Sequence, residues 1–85
     1  MLLSKLKPGA RVRYEGYIPG WDVFVPATIV TVTRVDVDSL FVAFSREAAE
    51  RAVEDPDRRD FMVAGKIYVW ADDCSPLEPD DNAAL

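Results

Sequence analysis

The 85-residue chain contains no histidine, and that absence removes a large class of chemistry. Serine or cysteine nucleophiles activated by an imidazole are excluded, as are metal sites with a histidine ligand. The four glycines stand apart at Gly9, Gly16, Gly20 and Gly65, a spacing that makes neither a phosphate-cradling loop nor a dinucleotide fingerprint. Carboxylates are plentiful, and Asp36, Asp38 and Glu47 fall at the first, third and twelfth positions of a calcium-loop pattern. The match fails on geometry: Phe41 stands where the sharp turn needs glycine, and Leu40 stands where a ligand oxygen is needed. Asp36-Val37-Asp38 and Asp72-Asp73 read instead as turn carboxylates. Neither a catalytic group, nor a metal site, nor a cofactor is expected.

The aromatic residues are the feature most open to a binding role. Tyr14, Phe44 and Trp70 lie within strand-like patterns and read as core. Tyr17, Trp21 and Phe24 flank glycine and proline in Gly16-Tyr17-Ile18-Pro19-Gly20-Trp21-Asp22 and just after it. That stretch reads as a long exposed loop, where large apolar side chains are hard to bury. For these three, both placements stay open, under the body of the fold or displayed beside it. Tyr17, Trp21 and Phe24, with Tyr68 as a neighbour, are the candidate partner-binding residues.

The elements that must position them are mostly strands. Lys7-Pro8-Gly9-Ala10 is a turn, and Arg11-Val12-Arg13-Tyr14-Glu15 then alternates as a half-wet strand does. Pro26–Val35 is dense in Val, Ile and Thr and carries the strongest strand signal. Its apolar residues fall on both faces, with Ile29 and Val35 on one and Val30 and Val32 on the other, as expected of a strand that bends around a small barrel. Leu40–Phe44 returns as a hairpin partner. Ser45 caps a short helix near residues 46–54, and Asp55-Pro56-Asp57 stops it. Phe61–Ala64 and Ile67–Trp70 read as further strands, with Gly65-Lys66 either a tight turn or a bulge between them. The expected fold is mainly β: one small, strongly bent antiparallel barrel built from residues 11–45 and 61–78, within a single domain of residues 1–78. Residues 79–85 read as an acidic tail.

The segments Gly9-Ala10-Arg11-Val12-Arg13, Val25-Pro26-Ala27-Thr28-Ile29, Phe41-Val42-Ala43-Phe44 and Ser75-Pro76-Leu77 together resemble the strand sequence of Src-homology-3-like and Tudor-like small barrels. The resemblance covers most of the chain and implies a binding module. In Tudor-like barrels, aromatics of the early loop and facing strands hold methylated lysine or arginine by cation–π attraction. A remoter resemblance is to the type II dihydrofolate reductases, also short barrels of this kind, carried by Gly9–Arg13 and Ile67-Tyr68. It would imply an oligomeric enzyme using the reduced nicotinamide cofactor. Here Lys66 stands where that family has its glutamine and Gly65 where it has valine, and the 46–60 insertion has no counterpart.

Net charge is −5 and unevenly placed. Residues 1–46 are slightly basic, whereas the acid surplus lies in residues 47–85. Without a clustered basic face, duplex DNA is disfavoured as a partner. A protein partner with a basic surface fits better, and an acidic inhibitor from a phage or mobile element that blocks such a surface is a further reading. Cys74 is the single cysteine, and Met1–Lys7 resembles neither a secretory signal nor a membrane span. The expected location is the cytoplasm, with no membrane partner.

Overall fold

The computed structural model describes residues 6–77. Five antiparallel strands curl into a half-barrel: β1 (Arg11–Ile18), β2 (Val23–Val35), β3 (Ser39–Ala43), β4 (Ile67–Trp70) and β5 (Cys74–Ser75). Their order in the sheet is β4-β3-β2-β1-β5. Two short helices, α1 (Arg46–Ala52) and α2 (Pro56–Val63), fill the β3–β4 connection, and a single 3₁₀ turn (Ala71–Asp73) joins β4 to β5. No helix among the described residues is long and apolar enough to cross a membrane. The acidic segment 79–85 lies outside the described residues.

The mixed faces of β2 have a specific cause. Between the pairs Tyr14↔Thr28 and Gly16↔Val25, β2 advances three residues while β1 advances two. Between Val32↔Val42 and Arg34↔Phe41, β2 advances two while β3 advances one. Each extra residue inverts which side chains face inward. The core therefore receives Val25, then Val30 and Val32, with half-buried Val35 packed against it after the second bulge. Pro26, which has no N–H to donate, sits within the first irregularity, where a ladder bond is already lost. These bulges let one 13-residue strand serve two neighbours in a bent sheet. Tyr14 and Phe44 are buried as expected and meet edge to face at 5.7 Å.

Ser45 caps α1 by accepting from the Ala48 N–H (3.1 Å), and Ala48 and Ala49 are buried. The expectation of one helix followed by a strand at Phe61–Ala64 is overturned. Asp55 caps a second helix by accepting from the Asp57 N–H, and Pro56 occupies its first turn. The triplet that stops α1 thus starts α2, because proline fits the first helical turn as well as it blocks a helix interior. Phe61-Met62-Val63 is the end of α2, where Met62 is fully buried and Phe61 is exposed.

Gly65-Lys66 is consequently neither a hairpin turn nor a bulge but the exit from a helix. Gly65 has φ +81°, and its carbonyl accepts from the Thr33 hydroxyl at 2.6 Å. A Cβ there would lie 2.6 Å from Thr33 Cγ2, so only glycine fits.

The predicted long loop over residues 16–22 is also corrected. Gly16–Ile18 continue β1, and only the turn Pro19–Asp22 separates β1 from β2. That turn is tied by the Trp21 N–H donating to the Ile18 carbonyl (3.1 Å). Gly20 and Asp22 take positive φ within it.

Candidate functional site

Strand alternation decides which aromatics reach the surface. On β1, Val12, Tyr14 and Ile18 point inward, so Tyr17 points out. Its cross-strand partner is Phe24, with ring centroids 5.3 Å apart in an edge-to-face contact. Tyr17 is 61% exposed and Phe24 47%, so this pair is displayed. On β4, Ile67 and Val69 point inward, which turns Tyr68 and Trp70 outward. Trp70, read as core from its strand pattern, is 44% exposed and has no place in the core.

Tyr17 and Trp70 line one open groove of about 640 Å³, together with the backbone around Gly16 and Gly20 and the carboxylates of Asp22 and Asp73. Gly16 makes the closest approach possible. A Cβ at that position would sit 3.0 Å from Asp73 Cγ and Oδ2, so its absence lets the Asp73 carboxylate lie against β1. Asp73 is presented by the 3₁₀ turn, which the Ala71 N–H anchors to the Asp38 carbonyl at 3.2 Å. The groove lining contains two aromatic rings and two carboxylates and no basic side chain among the described residues. Such a lining attracts a cation through both the ring quadrupoles and the carboxylate charge.

The groups behind this wall are uncharged. Burial, then the Asp73 charge, pushes the Cys74 thiol up to about 11. The same two causes, with Cys74 third, raise the Tyr14 phenol well above its ordinary range. Cys74 is buried, and its thiol donates to the Trp70 carbonyl at 3.7 Å. The buried Tyr14 hydroxyl has no hydrogen-bond partner among the described residues. Among the described residues, no group of three or more histidine, cysteine or acidic side chains is placed to hold a metal ion.

The four candidate residues are therefore not brought to one place. Tyr17 lines the groove and Phe24 buttresses it from β2. Tyr68 is half-buried between Phe41 (5.9 Å) and Trp70 (5.1 Å), and so supports Trp70 without lining the groove. Trp21 turns away. It is half-buried against the core, its ring 6.3 Å from Phe61 and 5.3 Å beneath the Arg58 guanidinium. Three of the aromatic and acidic groove residues, Asp22, Trp70 and Asp73, were not among the sequence candidates. Trp70 was legible in the alternation Ile67-Tyr68-Val69-Trp70, which puts it opposite Ile67 and Val69. Asp73 carried no local signal, since its place against Gly16 depends on how β5 pairs with β1.

Comparison with protein-family models, with curated proteins and with solved structures finds no match.

Proposed function

We propose that this chain is a non-enzymatic binding module, of the Src-homology-3-like or Tudor-like type, that takes a cationic side chain of a protein partner between Tyr17 and Trp70. The observation that carries the reading is the groove lining: two exposed aromatics and two carboxylates with no basic neighbour. Lysine, methylated lysine and arginine are the side chains this chemistry favours.

Half of the carboxylates in residues 46–60 have arginine partners of their own, which leaves Glu50, Glu54 and Asp57 among the described residues for the alternative of a basic-surface blocker. Arg46 pairs with Asp60 at 2.9 Å, Arg51 with Glu47, and Arg58 with Asp55 at 4.0 Å. In the groove neither carboxylate has an ion-pair partner among the described residues, and both lie beside the exposed aromatics Tyr17 and Trp70.

Magnitudes set the size of the partner. A cation over exposed rings contributes about 0.5–1 kcal/mol, rising to about 2 kcal/mol when desolvated. An exposed carboxylate adds about 0–1 kcal/mol. One side chain therefore falls short of the roughly 8 kcal/mol that micromolar affinity requires, so a useful partner must bring a longer segment. Titration of the protein with hexapeptides bearing lysine, trimethyl-lysine, arginine or norleucine tests the reading. The cationic peptides should bind, weaken with salt, and weaken further in Trp70→Ala and Asp73→Asn. Equal binding of the norleucine peptide would contradict it.

A further inference from the structure

We infer that the partner segment docks as an extended strand on the free edge of β4, a reading that rests on the cation-binding role of the groove. The Ala71 N–H donates to the Asp38 carbonyl, in register with the pairs Ser39↔Trp70 and Leu40↔Val69. In an antiparallel ladder the paired groups alternate, so Val69 and Ile67 also turn their N–H and C=O toward β3. The Asp36 N–H bond to the Ser39 carbonyl agrees, since it directs Ser39 toward β2 and leaves Leu40 for β4. Tyr68 and Trp70 must then turn their backbone groups the other way, toward the open edge of the half-barrel. Among the described residues, the Tyr68 N–H and C=O and the Trp70 N–H have no backbone partner. The Trp70 carbonyl is taken by the Cys74 thiol.

The two sheet edges are not equivalent. β5 runs for two residues and is followed at once by Pro76, which cannot donate. β4 contains no charge, no proline and no bulge, the devices that usually blunt an exposed edge. An incoming antiparallel strand would find three backbone groups to pair with, and its residue opposite Trp70 would project on the Trp70 side. That side holds the groove and its carboxylates, Asp22 and Asp73. Charge complementarity thus names the occupant: an extended peptide with lysine or arginine at alternate positions, backbone on β4 and one cation in the groove.

The test uses the full chain, ¹⁵N-labelled, and the acetylated, amidated peptide Thr-Lys-Thr-Lys-Thr-Lys. Two analogues carry N-methyl groups on the backbone amides of either the three threonines or the three lysines. On binding the parent peptide, the Tyr68 and Trp70 amides should shift downfield and exchange about tenfold more slowly. One methylated frame should bind like the parent and the other about tenfold more weakly, because only alternate amides face the sheet. If the parent moves the Tyr17 and Trp70 side-chain signals while both frames behave alike, the edge docking is overturned and the groove reading stands. If about 10 mM parent peptide moves none of these signals, both fail.

Discussion

Two aromatic sites flank the Pro19–Asp22 turn, and they differ in what supplies the positive charge. On one side Trp21 lies against Phe61 with Arg58 over its ring, while Lys66 lies 6.0 Å from the Phe61 centroid. On the other, Tyr17 and Trp70 face Asp22 and Asp73 with no cation in the lining. The first site contains its own arginine and ties the hairpin tip to α2. The second has the same chemistry with the cation left out. Aromatic residues in one small fold thus divide by their charged neighbours, and the division separates a structural contact from a binding surface.

The comparison breaks most visibly on removal of either tryptophan. Trp21→Ala should lower stability by about 2–3 kcal/mol, less than a fully buried tryptophan costs because Trp21 is only half-buried. It should leave binding of a lysine peptide within about twofold once the folded fraction is accounted for. Thermal and denaturant melts beside a titration check this. Trp70→Ala should do the reverse: about 2 kcal/mol lost from binding, the scale of an aromatic anchor, with a smaller change in melting temperature.

The pH profile of stability sharpens the groove side. Cys74 and Tyr14 keep their protons in the folded protein to higher pH than in the unfolded chain. Their contribution is therefore complete below about pH 9 and is lost as pH rises, for Cys74 between 9.0 and about 11. The loss should approach about 1.4 kcal/mol per pH unit for each group titrating only in the unfolded state. In Asp73→Asn the loss should be shallower, since the Asp73 charge is a secondary cause of both shifts. Urea melts at stepped pH measure it. The smallest expected effect is that of Arg58→Ala, about 0.5–1 kcal/mol of stability from the lost cation–π contact at an exposed site.

The sequence showed the strands where side-chain pattern alone decides them. Val12 and Tyr14 alternate with charges, and the β-branched run from Thr28 to Val35 has few other conformations open to it. Phe61-Met62-Val63-Ala64 misled because a four-residue apolar run has no period of its own, and Asp55-Pro56 ends one helix and begins another with the same residues. Tyr17 was legible as a candidate, though the sequence left open whether it was buried or displayed. Its partnership with Trp70 and Asp73 was not, because those residues are more than fifty positions away and meet Tyr17 only when the sheet curls. For Trp21 the Gly-Trp-Asp setting left the same two placements open, and nothing local announced α2 as its cover.

Setting a cation against a neutral probe of similar apolar bulk, tetramethylammonium against neopentyl alcohol, and reading both tryptophan indole N–H signals tests the groove reading most directly. The probes differ in charge and in the alcohol's hydroxyl, which can add a hydrogen bond to a carboxylate and so works against the expected order. Tetramethylammonium should shift the Trp70 indole and the Tyr17 ring signals, neopentyl alcohol should do so several-fold less, and the Trp21 indole beneath Arg58 should respond to neither. Equal shifts from the two probes, or a larger response at Trp21 than at Trp70, would contradict that reading.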